Sequence, residues 1–286
     1  MVVGKGGAGR STLTAALAQR AASAGQRVLA VDATAVGGLA SALSWGRPVT
    51  PGMITAGGQG RPSLLALNTE AALEQYLRMN LKLAAGARVV GPLARILEFV
   101  ATAAPAVREI LAIGKIGHEV RTGPWDRVIV DGPATGHVVE LLSAPDALRP
   151  LVGRGPLHDD TVWLSALLAD PAITRAVAVS LGEELVVSET AELVARLRAE
   201  TRVTVSGLVA NRLPPAIGPA GEAEAGRLEA AGEPLAPVAT LAVARHRSWC
   251  TQRERLAALG LPLVEVPDRP AHPVEAVADA VAGARW

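Results

Sequence analysis

A chain of 286 residues with 28 basic and 27 acidic side chains carries a net charge of +1, so it projects no strong field toward nucleic acid or an anionic membrane. Aromatic residues make up only 2% of it, which leaves little surface for stacking on bases. The single cysteine, Cys250, excludes an internal disulfide and any multi-cysteine metal site within one chain, and as a lone thiol it is expected to be a buried small hydrophobe.

No uncharged apolar run reaches the length of a membrane span; Phe99 to Val107 is bounded by Glu98 and Arg108. No signal peptide precedes the first motif, and the lack of disulfides fits a reducing compartment, so the expected location is cytoplasmic, without stable membrane insertion. The length suits one large α/β domain carrying an insertion.

The chain opens on Met1-Val2-Val3, short for a buried parallel strand, which suggests a truncated end or a misplaced start. Gly4-Lys5-Gly6-Gly7-Ala8-Gly9-Arg10-Ser11-Thr12 follows and fits the phosphate-loop pattern G-x-x-x-x-G-K-[ST] except that Arg10 stands in the lysine position. Glycines let such a loop curl so that successive N–H groups turn inward, and the helix that follows aims its N-terminus at the same point. Ser11 is the hydroxyl expected on a Mg²⁺ ion, and Lys5 adds a cation at the start of the loop. The alternative is a glycine-rich turn that binds nothing. Lysine is nearly absent from a chain rich in alanine, glycine and arginine, so Arg10 is open to two readings: a compositional drift without loss, or a weakened loop.

A helix from Arg10 to about Ala24 stops at Gly25. Val28 to Val31 reads as a buried strand tipped by Asp32, at the end of a parallel strand where doubly wound sheets hold their ligands. The bland reading of Asp32 is a loop cap or a solvated carboxylate. Gly37-Gly38 and the stretch from Pro48 to Pro62 read as loop, Leu64 to Asn68 as a strand, and Thr69 as the cap of a helix through about Ala84. Two more helices are expected near Pro92–Thr102 and Pro105–Val120, so residues 69–121 form an α-helical insertion on the α/β core. The apolar positions Leu93, Ile96, Leu97, Phe99 and Val100 either pack within it or line a groove.

Arg127 to Val130 is again an apolar strand tipped by an acid, Asp131, placed to hold a magnesium site, and Gly132-Pro133-Ala134-Thr135-Gly136-His137 then turns into a helix. His137 suits an orienting or packing role, and His118, His158, His246 and His272 lack metal-ligand spacing. Further on, the pattern predicts a helix at Leu157–Leu168, a strand at Ala176–Ser180, and a helix from Ser188 or Thr190 to Arg198. Gly207 to Ala210 is a strand with a polar tip, Asn211, a residue that also suits a turn at a strand end. Residues 214–236 read as a mobile surface segment or a frayed helix. A helix over Val243–Leu259, a strand over Leu261–Val266 and a last helix from Pro273 complete the alternation. The whole reads as a mostly parallel, doubly wound α/β sheet with helices on both faces, a single domain over 1–286.

Two stretches are specific enough to resemble a family. The loop from Gly4 to Thr12 is similar to the deviant phosphate loop G-K-G-G-V-G-K-T of the SIMIBI class. Asp131 to His137 resembles the D-T-A-P-T-G-H switch segment of the arsenite-pump ATPases and the guided-entry ATPases that target tail-anchored proteins. Asn211 matches the family's adenine-reading asparagine, Trp249 and Gln252 its W-x-x-Q helix, and Pro267 after the last strand is placed with the nucleotide-binding residues. The closest likeness is to the paired ArsA-like ATPases of actinobacteria.

The resemblance implies ATP or ADP with Mg²⁺ as cofactors, bound by Gly4, Lys5, Gly6, Gly7, Ala8, Gly9, Arg10, Ser11, Thr12, Asn211 and Pro267, with Ser11 and Asp131 on the metal. It implies Asp32 and Lys5 in catalysis, Lys5 reaching across a dimer to its partner's nucleotide, and an insertion around Tyr76–Val120 that faces a hydrophobic client or membrane-protein partner. Three departures stand out. The family's first switch D-P-A-H is replaced by Asp32-Ala33-Thr34-Ala35; the zinc-binding C-x-x-C and the arsenite-binding cysteines are absent; Arg10 replaces lysine. Two functions therefore stand open: a weak or degenerate ATPase subunit that works with a more active partner, or an active ATPase that couples its switches to a client.

Overall fold

The computed structural model describes residues 1–34, 37–80, 105–152, 154–269 and 271–284. Its centre is an eight-stranded sheet of β1 (Val2–Gly4), β2 (Val28–Asp32), β3 (Ile54–Thr55), β4 (Ser63–Ala66), β5 (Arg127–Asp131), β6 (Arg175–Leu181), β7 (Thr204–Leu213) and β8 (Leu263–Pro267). The spatial order is β3-β4-β2-β5-β1-β6-β7-β8, and every pairing is parallel except the antiparallel edge β3 on β4. β1 sits between β5 and β6, so the chain winds outward from it in both directions. The crevice at such a reversal is where doubly wound sheets bind ligands.

The strands are apolar on both sides, and the structure uses both. Val3, Leu29, Val31, Val130, Ala178 and Leu208 face one hydrophobic layer. Their chain neighbours Val2, Val177, Val179 and Val209, together with Val28 and Ala30, face the other. The first layer is covered by α4 (Pro105–Thr122), α5 (Thr135–Leu148) and α7 (Glu184–Glu200), the second by α1 (Arg10–Ser23) and α10 (Pro273–Ala280). Burial on both faces explains why these strands read as continuous apolar runs without alternation. Between β4 and β5 the described residues add α3 (Thr69–Asn80) and α4, and α6 (Pro156–Ala169) packs beside them.

Several expectations need adjusting. Gly38, read as loop, opens the short helix α2 (Gly38–Ala42), and the expected loop from Pro48 to Pro62 contains the edge strand β3. α7 begins at Glu184, not at Ser188 or Thr190. The hydroxyls of Ser188 and Thr190 turn back onto the carbonyls of Glu184 and Val186 instead of capping a terminus. Residues 214–236, expected to be mobile, include the regular helix α8 (Pro219–Ala230), which starts on a first-turn proline. It is held to α9 (Ala236–Ala257) by a two-pronged pair, with the Arg247 guanidinium donating to Glu222 at 3.0 and 2.8 Å. α9 itself starts seven residues ahead of the expected Val243, because Val238 and Leu241 face solvent there and obscure the helical period. The predicted helix at Pro92–Thr102, and with it Leu93, Ile96, Leu97, Phe99 and Val100, lies outside the described residues.

Candidate nucleotide site

Five strand ends converge on one edge of the sheet. β1 passes into the loop from Lys5 to Gly9, and the loop enters α1 at Arg10. Gly4 has a φ of +149°, and a Cβ there would meet the Val179 carbonyl oxygen at 2.5 Å. Gly9 has a φ of +101° and would press a Cβ to 2.1 Å from the Asn211 amide nitrogen. Gly4 is required for conformation and for space at once, because backbone blocks a Cβ there; at Gly9 the positive φ is the firm constraint, since the obstructing atom ends a side chain. Gly6 and Gly7 are exposed, and no side chain caps α1, so its first-turn N–H groups point toward the open loop. That is the arrangement an anionic phosphate group needs.

On one side of the loop, Ser11 and Asp131 meet. The Ser11 hydroxyl donates to Asp131 Oδ2 at 2.5 Å, while Oδ1 of the same carboxylate is buried without a hydrogen-bond partner. Burial pushes the Asp131 carboxyl up to about 6; the Ser11 hydroxyl and the Arg10 cation pull it down, and Asp32 adds to the rise. An orphaned carboxylate oxygen beside a serine hydroxyl is a hard-oxygen donor set that suits Mg²⁺. The Arg10 guanidinium turns the same way and donates to the carbonyl of Gly132, the residue after Asp131. The side chain in the lysine position thus binds the segment that leads into α5.

Asp32 and Asp131 occupy the same register on the adjacent strands β2 and β5. Asp32 is also buried, yet its Oδ1 accepts from both the backbone N–H and the hydroxyl of Thr34, at 2.9 and 2.6 Å. This carboxylate caps its own loop. Thr34, not singled out in the sequence, is the residue that occupies it; a D-x-T spacing is the signal that could have marked it.

The remaining candidates are distributed around the loop. Asn211, at the end of β7, is buried, and its side-chain amide donates to the Ala8 carbonyl at 3.0 Å, bracing the loop from the β7 side. Pro267 lies exposed at the end of the edge strand β8, paired with Leu213 of β7. Thr12 sits in the first turn of α1. Lys5, a third exposed, donates its ammonium to Glu189 of α7 at 2.7 Å. Nothing in the sequence pattern singles out Glu189, which stands 184 residues from Lys5.

One expectation fails, and another is narrowed. Cys250 is exposed on α9, with its sulfur 3.7 Å from Nε2 of His246, rather than buried, because the buried stripe of that helix runs through Trp249, Gln252 and Leu256. His137 does not pack: its side chain is 75% exposed on the first turn of α5, 3.4 Å from Glu140. Among the described residues no group of histidine, cysteine and acidic side chains has metal-site geometry formed by three or more members, and no helix is long and apolar enough to cross a membrane.

Away from the loop, α3, α4 and α6 enclose a cavity of about 610 Å³. Leu73, Tyr76, Ile110, Leu111, Trp163 and Leu164 line it, and Leu148 at the far end of α5 closes one side. The helix that begins beside Asp131 therefore ends at this cavity.

The family model described as anion-transporting ATPase matches residues 1–155, more than half of the chain. The ATPase BagA of Mycobacterium tuberculosis is 33% identical over 226 residues, covering 76% of this chain and 65% of that protein. The ATPase GET3B of Arabidopsis thaliana is 27% identical over 266 residues, covering 75% of this chain and 64% of its own. The chain spans slightly less than two thirds of the length of these relatives.

Proposed function

Because this chain belongs to the anion-transporting ATPase family, we propose that it is a nucleotide-binding subunit that holds Mg²⁺-ATP or Mg²⁺-ADP on the loop from Gly4 to Thr12, hydrolyses it slowly by itself and works in a dimer with a more active relative. The observation that carries this reading is the pairing of Ser11 with Asp131 beside an uncapped, glycine-lined helix N-terminus. Backbone N–H groups of the loop bind phosphate oxygens whatever side chain stands at position 10. Ser11 and the free oxygen of Asp131 would hold Mg²⁺, which supplies the charge that neutralises the outer phosphates. In this reading Asn211 would meet the base end of the ligand once its amide leaves the Ala8 carbonyl, to which it now donates.

Slow turnover follows from two features. Phosphoryl transfer depends on cations and water-orienting groups fixed against the developing charge. Here Arg10 is drawn toward Gly132, and its planar fork cannot curl along the phosphates as an ammonium does. Asp32, the acid in the first-switch position, spends one oxygen on Thr34. Calorimetric titration with Mg²⁺-ADP and Mg²⁺-ATP tests the binding: the expected result is saturable heat from the folded chain, and none at millimolar ligand overturns the reading. Turnover by the chain alone should fall well below about 1 s⁻¹, the lower end of ordinary enzyme rates, and Arg10→Lys should raise it. Light scattering of the chain alone and mixed with a related ATPase from the same genome tests the dimer.

A second reading has its own support. The cavity between α3, α4 and α6 is mostly apolar and touches the end of α5, which favours an ATPase whose switch movements act on a hydrophobic client. Protection of Trp163 or Tyr76 by an apolar peptide, changed by nucleotide, would support this reading over the first.

A further inference from the structure

α4 turns one face to the cavity between α3, α4 and α6, and that face changes character along its length. Ile110, Leu111 and Gly114 line the cavity toward the start of the helix, and Lys115, His118 and Arg121 toward its end. The two glycines of α4 do different things. At Gly117 a Cβ would lie 2.5 Å from Leu164 Cδ2 and 3.1 Å from the Trp163 ring, so glycine there lets α4 close against α6. At Gly114 a Cβ would meet only Leu164 Cδ1, at 4.0 Å, and the backbone is helical. Neither conformation nor packing asks for glycine at that position, and glycine is a poor residue for a helix interior. Its missing side chain leaves the cavity wide, at about 610 Å³, within the range of small-molecule sites.

The charged groups gather at one end. Lys115 is already paired, its ammonium 2.7 Å from Glu119, a residue that does not line the cavity. Arg121 is exposed at the rim, with its guanidinium 5.0 Å from the centre of the Trp163 ring. Asp160, the acid at this end, accepts a hydrogen bond from the Tyr76 hydroxyl and lies in the field of Arg121. His118 stands one turn before Arg121, its ring nitrogen 3.3 Å from the Thr122 hydroxyl. α6 enters beside these groups at Leu157 without a side-chain cap, so its positive end adds to the charge of Arg121.

We infer that this cavity is a binding site for a single long-chain fatty carboxylate, its chain lying along Leu73, Leu111, Gly114 and Leu164 and its head at the rim beside Arg121 and His118. A chain of even width needs an apolar wall with no projecting side chain, which Gly114 provides, and burial of its methylenes supplies the affinity. The carboxylate stays at the wet rim, where a guanidinium already stacked on Trp163 donates to it without being stripped of water. The inference rests on taking the cavity as a binding site, as the second reading above does. It replaces a polypeptide client with one acyl chain and needs no nucleotide.

Oleate below its micellar concentration is the probe, and Trp163 fluorescence the readout, with Trp163→Phe assigning that signal among five tryptophans. Oleate should bind the whole chain saturably. Gly114→Leu projects a side chain into the cavity while favouring the helix, so it should weaken oleate at least about tenfold with no loss in the denaturation midpoint. Arg121→Gln should weaken oleate by about two- to fivefold and leave the weaker binding of oleyl alcohol unchanged. No binding, or equal binding by wild type and Gly114→Leu, would overturn the site. Oleyl alcohol or a hexadecyltrimethylammonium ion bound as tightly as oleate would overturn the carboxylate head. An apolar helical peptide that perturbs Trp163 where oleate does not would overturn the inference and uphold a polypeptide client. Oleate bound equally with and without Mg²⁺-ADP would uphold the site and overturn the switch coupling of the second reading, so the two fail separately.

Discussion

Asp32 and Asp131 share a register, tip adjacent strands and are both buried, yet their surroundings give them opposite tasks. Asp131 receives one bond from Ser11 and keeps an oxygen without a partner. Asp32 receives two bonds on a single oxygen from the residue two positions on. The first arrangement leaves a coordination position that a cation can fill; the second uses the carboxylate to shape a turn. Position on the sheet makes an acid available to a ligand, and the next few residues decide whether it stays available.

The sharpest way to test that contrast is proton binding. The folded Asp131 carboxyl titrates at about 6, above its unfolded value of 3.8, so folding favours its protonated form. Its stabilising contribution is fully present below the unfolded value and is lost as pH rises through about 6. A shift of that size corresponds to about 3 kcal/mol at the usual conversion per pKa unit. Chemical denaturation of metal-free protein should show this loss between pH 4 and pH 7, and Asp131→Asn should flatten it. A profile that Asp131→Asn leaves unaltered would remove the unsatisfied-carboxylate account of this site.

Ligand binding separates the two acids next. Asp131→Asn should weaken Mg²⁺-ADP binding by at least about tenfold, near 1.4 kcal/mol, and abolish its dependence on Mg²⁺. Asp32→Asn should change the same constant by less than about threefold, because a loop-capping carboxylate contributes little to the ground-state complex. Equal losses in both variants would break the comparison. The smallest effect belongs to Thr34. Thr34→Val removes its hydroxyl bond to Asp32 and should lower stability by about 1 kcal/mol with nucleotide affinity unchanged, as read from the denaturation midpoint and from calorimetry.

The parts of this protein that were legible in its residues are those with local causes. The spacing of Gly4, Gly9, Ser11 and Thr12 marks the phosphate loop because backbone curvature and space demand glycine at fixed offsets. The runs at Val28–Val31, Arg127–Val130 and Gly207–Ala210 mark parallel strands because each packs apolar side chains into hydrophobic layers on both faces of the sheet. Asp131 was visible as the acid after such a run. Helix α8 was not, since only Ala225 of it is buried and its order depends on Arg247 of the next helix.

Tertiary structure alone decided the partners of the charged groups. Arg10 meets Gly132 across 122 residues of chain, and Lys5 meets Glu189 across 184. Ordinary charged residues at such separations carry no mark of each other in sequence. β1 lies between β5 and β6, and that placement brings the loop, Asp131 and α7 around one crevice. Backbone conformation is dictated over a few residues at a time, whereas electrostatic pairing is set by which strands the closed sheet makes neighbours.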